Sequence, residues 1–333
     1  MMNKFNKYSD VEKIFNNSEL YNQLLSSKNI SWQFNKKELG DYQTPISLVK
    51  KVINVLKING VELINIIEPT MGKGNFIIEL FNNSDGFESV FGIEKQEEYL
   101  LEFAVELKKK FKKEKYDNLK IFDDDIFSIN IENLITEGVV IIGNPPWVTN
   151  SNQSVLKSQN IPQKNNFRLL KGMDAITGKS NFDISEAIII KLIQSLIKVK
   201  KGYISLLVKN IVIRNLLYYC ENLDCKIKDF KMYKFDAKKE FDVNTSASLL
   251  FISVDNEIKN NEMTSICEIY DIDQPETLID EFGWINNNFV SSIKNYEYGK
   301  VIEKVDRASS DKLVWRSGIK HDASKIMEVE YKG

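Results

Sequence analysis

The sequence predicts an α/β protein built on a doubly wound, mostly parallel sheet. Short runs that are apolar on both faces alternate with stretches of helical periodicity. Four successive apolar runs also end in a single polar residue each, at Glu68, Glu94, Asp125 and Asn144. In such sheets ligands bind beyond the carboxyl ends of the strands, so these four residues mark a site.

The elements follow in order. Residues 1–38 read as a polar, mainly helical N-terminal extension, with Val11, Ile14, Phe15, Leu20 and Leu24 at helical spacing. "GDYQTP" (40–45) interrupts that pattern and "PISLVKKVINVL" restarts it, with Pro45 suited to a first turn and Thr44 placed to cap it. Strands are expected at 62–69, 89–94, 119–126, 138–143 and 202–209, and near 226–235, 247–254 and 264–272. Helices are expected at 74–81, 96–115, 183–200 and near 211–222. Residues 149–182 are rich in Asn, Ser, Gln and Lys and poorly periodic; a loop of that length is usually a lid or binding loop. A catalytic domain is expected over 39–275, with 276–333 as a linker.

Composition narrows the chemistry. The chain has 333 residues, enough for one large domain or one domain with an appendage. No run approaches the ~20 apolar residues of a membrane helix, and the N-terminus lacks a signal-peptide core, which predicts no membrane and a cytoplasmic location. Cys220, Cys225 and Cys267 form no CxxC, and His321 is the single histidine, so no metal site is predicted and a histidine-based hydrolase is disfavoured. The net charge is −2, and only Arg168, Arg214, Arg307 and Arg316 are arginine. A protein that gripped a long duplex unaided would show a basic excess. The lysine run at 108–115 reads as a solvated helix end.

"EPTMGKGNF" (68–76) joins an acidic residue to a turn in which Gly72 and Gly74 allow close backbone approach to a ligand. It lacks the third glycine of dinucleotide enzymes and the G-K-[ST] of a P-loop, which favours a nucleoside without a phosphate chain. The same turn also suits a plain strand–helix connection. Glu94 falls 26 positions after Glu68, a placement that suits a carboxylate accepting both ribose hydroxyls. Asp125 suits an exocyclic amine, although "DDD" (123–125) also reads as a solvated turn.

"VVIIGNPPWVTN" (139–150) ends a buried strand in a rigid, polar and aromatic segment. An exocyclic amine on a nucleobase is a poor nucleophile because its lone pair is delocalised into the ring. The Asn144 side-chain oxygen and the Pro145 carbonyl would accept its two N–H bonds and free that lone pair for attack on an electrophilic methyl group. Pro145 and Pro146 stiffen the backbone that holds these acceptors. Trp147, expected to be exposed, would stack on the base, a contact worth ~1–3 kcal/mol.

The order "GDYQTP", "EPTMGKGNF", "GIE", "DDDIF", "NPPW" over about residues 38–255 resembles the γ-class amino-methyltransferases of restriction–modification systems. The resemblance implies a seven-stranded Rossmann-like methyltransferase fold, S-adenosylmethionine as cofactor, and methyl transfer to the N6 amine of an adenine flipped out of double-stranded DNA. It implies that Tyr42, Thr44 and Pro45 border the methionine end of the cofactor, and Glu68, Gly72 and Gly74 its middle. By the same match Glu94 holds the ribose, Asp125 the adenine amine, and Asn144, Pro145, Pro146 and Trp147 the target. Asp183 is a weaker cofactor candidate. Phe241, with Phe235 as rival, would pack on the far face of the base. Glu68 stands where members usually carry Asp, and Trp147 where many carry Tyr or Phe. The family continues into a target-recognition domain, so that part is expected from a longer chain or a partner subunit. Other acceptors of the same chemistry are cytosine N4 and a protein glutamine; a silent cofactor-binding subunit is a further alternative, disfavoured by the intact Asn144–Trp147 motif.

Overall fold

A computed structural model describes residues 8–10, 42–148, 183–221, 226–259, 263–286, 288–296 and 298. Most of the helical extension, the 149–182 loop and Cys225 lie outside these residues. The three described residues of the N-terminal stretch, β1 (Tyr8–Asp10), are a strand rather than a helix.

The central chain then alternates strand and helix: α1 (Ile46–Ile58), β2 (Asn65–Glu68), α2 (Asn75–Asn83), β3 (Ser89–Glu94), α3 (Glu97–Lys110), β4 (Leu119–Asp123) and β5 (Val139–Gly143). It continues through α4 (Ile184–Leu196), β6 (Lys201–Lys209), α5 (Asn210–Glu221), β7 (Ile227–Lys234), α6 (Ala237–Phe241) and β8 (Ala247–Asp255). An antiparallel meander of β9 (Ile266–Asp271), β10 (Asp280–Ile285) and β11 (Asn288–Val290) closes the described series.

Among the described residues eleven strands form one sheet, ordered β1-β4-β3-β2-β5-β6-β8-β7-β9-β10-β11. Its heart, β4-β3-β2-β5-β6-β8-β7, is the expected seven-stranded Rossmann-like unit, parallel except for β8, which runs antiparallel to both β6 and β7. The sheet is wider than expected, because β1 extends one edge and β9–β11 the other. Two of those strands, β10 and β11, lie beyond residue 275, where a linker was expected.

Alternation along each strand explains the two layers. Ile66, Val140 and Ile142 face a core shared with α1, α2 and α3, whereas Ile67, Ile141, Ile204 and Leu206 face one shared with α4 and α5. Both faces are covered by helices, as a parallel sheet requires. Helix α1 begins one residue after Pro45, whose carbonyl accepts from the Leu48 and Val49 N–H groups at 3.0 Å. Thr44 makes no cap there, contrary to expectation; its own carbonyl accepts from Asn75 Nδ2 at 2.9 Å. Helix α3 ends at Lys110 rather than 115, leaving three lysines in its last turn. Among the described residues no helix is long and apolar enough to cross a membrane.

Gly74, the residue before α2, is left-handed at φ 68°, and a Cβ placed on it would lie 2.2 Å from the Phe103 ring. Both facts act against any side chain. Gly74→Ala is expected to lose about 2–4 kcal/mol of stability, from the backbone penalty together with overpacking. Urea denaturation against the parent chain measures it; a loss under ~0.5 kcal/mol, the scale of an ordinary surface change, would contradict this packing.

Candidate active site

The chain runs outward from β2 to β3 and β4, then returns to place β5 beside β2, so the strand order reverses between β2 and β5. A cleft open to solvent lies beyond the carboxyl ends of these strands. Glu68, Glu94, Asp125 and Asn144 all line it, as do Tyr42, Thr44 and Gly72. One crevice therefore gathers the four strand-end residues singled out in the sequence.

The glycine turn is shaped by hydrogen bonds. The Gly72 N–H donates to Glu94 Oε2 at 2.8 Å, and the Lys95 and Gln96 N–H groups donate to Oε1 at 2.9 and 2.8 Å. Three backbone donors thus fix the Glu94 carboxylate in one orientation while leaving it acceptor capacity. Gln43 folds across the turn and accepts from the Lys73 N–H at 3.1 Å. Gly72 has φ 52°, and a Cβ there would meet the Gln43 amide at 2.5 Å.

Glu68 is 1% exposed and accepts from the Ile77 N–H at 3.3 Å. Burial pushes its carboxyl well above the usual carboxylate range; that one backbone bond pulls the other way, and the Glu94 charge adds to the rise. At the opposite end, Asp125 Oδ1 accepts from the Phe127 N–H at 2.9 Å, and its Oδ2 pairs with Lys95 Nζ at 3.1 Å.

Asn144 is held by one side of its amide. Nδ2 donates to the Tyr42 carbonyl at 2.8 Å, which fixes the rotamer. Among the described residues Oδ1 is buried and has no hydrogen-bond partner, and Thr70 Oγ1, also in the cleft wall, is in the same state. A buried acceptor with no donor is costly; Ser205 Oγ and Trp284 Nε1, away from the cleft, are likewise without a partner among the described residues.

Trp147 is placed differently from the expectation. It is 5% exposed, its Nε1 donates to the Leu207 carbonyl at 3.0 Å, and its ring meets Phe241 edge-on at 5.1 Å and Tyr42 at 5.7 Å. The indole is buried because its N–H finds a backbone acceptor on β6. Phe235 lies edge-on to Phe241 at 6.0 Å. Pro146 reaches the cleft, but Pro45, Gly74, Pro145, Trp147 and Phe241 are not in its wall. Asp183 also stands outside it: it caps α4 through the Ser185 N–H at 3.0 Å and pairs with Lys209 at 2.7 Å.

Several lining residues were not singled out in the sequence. Gln43 lay inside a quoted motif, and Ile184 and Ile188 share the cleft side of α4 at i, i+4 spacing. Thr70, Asn75 and Phe127 likewise lay inside quoted motifs, whereas Lys95, Gln96 and Tyr99 carried no local signal and are brought in by the topology.

The N-6 DNA methylase family model matches residues 14–234, and the chain belongs to that family. The Type II methyltransferase M.NspV of Nostoc sp. (strain ATCC 29411 / PCC 7524) is 37% identical over 299 residues, covering 89% of this chain. The chain spans 59% of the length of that relative. Among solved structures, the Type IIL restriction-modification enzyme MmeI in complex with DNA is 14% identical, with TM-score 0.48, over 82% of this chain and 43% of that one. The type I restriction-modification system methyltransferase subunit from Streptococcus thermophilus is 13% identical, with TM-score 0.44, over 79% and 52%.

Glu68 yields a prediction in pH. Its folded pKa lies above the ordinary value of 4.5, so between 4.5 and the raised value the folded chain binds the extra proton. Stability from this group is therefore lost as pH rises through that window. The stability of the parent chain relative to Glu68→Gln is expected to fall as pH rises above 4.5. Urea titrations at several pH values check the sign; a parent chain that gains on the variant with rising pH would contradict it.

Proposed function

We propose that this N-6 DNA methylase family member transfers a methyl group from S-adenosylmethionine to the exocyclic N6 amine of an adenine turned out of DNA. The observation that carries the reading is Asn144, whose amide is anchored by Nδ2 while Oδ1 stands buried at the switch point of the sheet with no partner among the described residues.

The cleft's chemistry fits the cofactor. Glu94 presents a carboxylate, preset by three backbone N–H groups, to a ribose diol. Asp125 presents one to an exocyclic amine, with Ile126, Phe127, Ile184 and Ile188 as apolar walls for a purine. Gly72 gives close backbone approach, and Tyr42, Thr44 and Glu68 border the remaining end. When bound, S-adenosylmethionine supplies an electrophilic methyl group on a sulfonium centre.

The protein's part in the reaction is to hold the amine. Asn144 Oδ1 and the Pro145 carbonyl accept its two N–H bonds and draw the nitrogen toward tetrahedral geometry, with its lone pair directed at the methyl group. The acceptors need little rearrangement, because the Tyr42 carbonyl and two prolines already fix them. Trp147 and Phe241 flank the target base in this reading, so their edge contact opens to admit it. Choice of DNA sequence is assigned to a recognition domain or partner subunit, in keeping with the net charge of −2.

Incubation with methyl-labelled S-adenosylmethionine and DNA, followed by nucleoside analysis, tests the proposal. Label is expected in N6-methyladenine. Label in N4-methylcytosine or in a protein glutamine would replace the acceptor, and none in any acceptor would support a silent cofactor-binding subunit. Asn144→Ala is expected to lower kcat by about 10²–10³-fold or more, as loss of a preorganised polar group does, with cofactor affinity kept within a few-fold. A variant that loses cofactor binding instead would mean that Asn144 serves the cofactor rather than the amine.

A further inference from the structure

The turn after β4 contributes Asp124, Asp125, Ile126 and Phe127 to the cleft, although it belongs to neither a helix nor a strand. Part of its order is local. The Asp124 N–H donates to the Glu94 carbonyl at 3.1 Å, the Phe127 N–H to Asp125 Oδ1 at 2.9 Å, and the Ser128 N–H to the Asp125 carbonyl at 2.8 Å. With the Asp125 N–H donating to Asp124 Oδ1 at 2.8 Å, these bonds engage four of the turn's amides. Its carbonyls converge on one side chain from another element: Lys191 Nζ donates to the carbonyls of Ile126 at 2.7 Å, Phe127 at 3.2 Å and Ile129 at 2.6 Å.

An ammonium has three N–H bonds, and here one short piece of chain takes all three. Lys191 lies on α4 one turn beyond Ile188, which together with Ile184 forms the facing wall of the cleft. It is half-buried and does not itself line the cleft. Burial lowers its pKa, and the Asp125 carboxylate opposes that fall. The side chain thus joins the two walls that would enclose a purine: the Asp125–Phe127 turn on one side and α4 on the other.

We infer, resting on the reading that the cleft takes S-adenosylmethionine, that Lys191 is a positioning residue which holds the Asp125–Phe127 turn in register with α4 and so sets the geometry of the cofactor's nucleoside end. Its contribution falls on cofactor affinity. The acceptors for the target amine sit at the end of β5, outside the Ile126–Ile129 segment whose carbonyls Lys191 holds.

The test uses the full chain with Lys191→Met, which keeps the apolar stem and removes every donor. Calorimetry with S-adenosylmethionine is expected to show Kd raised about tenfold or more, with KM for the cofactor rising in parallel and kcat at saturation within about threefold. Hydrogen exchange is expected to quicken at Phe127–Ile129 while the sheet core keeps its protection. A staple of purely structural use would lower Tm and leave cofactor Kd and KM in the folded variant at parental values; that result overturns the inference. Lys191→Gln, which keeps two N–H donors, is expected to fall between parent and Met variant. If the Met variant does not fold, parental affinity in the Gln variant overturns the inference equally. A parent chain that binds no S-adenosylmethionine would sink the cofactor reading, and this one with it. A parent that binds, beside variants that bind as well, would sink this one alone.

Discussion

The side-by-side placement of β2 and β5, two parallel strands from which the chain departs in opposite directions, is the constraint on which the rest depends. Parallel strands need helices on both faces, and each helix must leave its strand toward its own side. At the β2/β5 boundary the connections part, one toward α2 and the other toward α4, and among the described residues a cleft opens above the strand ends. Glu68 and Asn144 line it.

Within the crevice the polar groups are fixed by main chain more than by one another. Glu94 is oriented by three amides, Asp125 by the amide of Phe127, and Asn144 by the carbonyl of Tyr42. Main-chain partners move only if the fold moves, so these side chains keep their direction whether or not a ligand is present. That is the condition under which a polar site lowers a barrier, because the dipoles are already aimed when charge shifts. The Tyr42–Asn144 bond shows how far the arrangement reaches: residues 102 positions apart meet because α1 and β5 sit on the same side of the switch point.

Much of this was legible in the sequence. Runs apolar on both faces, alternating with helical stretches, pointed to the parallel sheet, and a polar residue after each of four runs pointed to the cleft at the strand ends. Side-chain depth was not legible. Trp147 follows two prolines and reads as exposed, yet it is buried, because β6 offers the Leu207 carbonyl to its indole and α6 brings Phe241 against its face. Gly74 reads as a residue that admits a ligand, yet its missing Cβ makes room for Phe103 of α3, a contact that appears only once α2 and α3 share a layer. The edge strands escaped for a similar reason. β10 and β11 are only 6 and 3 residues long, and their pairing comes from neighbours rather than from a strong pattern of their own.

The site carries a cost that the core has to offset, and where that cost falls is informative. A carboxyl at 1% exposure with one 3.3 Å backbone bond, and an amide oxygen and a hydroxyl that lack a partner among the described residues, each destabilise the folded chain, the latter two by roughly 1–3 kcal/mol apiece. Away from the cleft, Ser205 Oγ and Trp284 Nε1 also lack a partner among the described residues, while other buried polar groups are paired. Asp183 has Lys209 and Ser185, Ser248 has Asn210, and Glu186 has Asn215. Apolar packing on both faces of a parallel sheet is large enough to carry such a deficit, at roughly 25 cal/mol per Å² of apolar surface removed from water. Asn144 Oδ1 differs from Ser205 Oγ and Trp284 Nε1 in its place: it belongs to a residue of the cleft wall whose Nδ2 is held on a carbonyl at 2.8 Å, which is why the proposed reaction uses it as the acceptor for the amine.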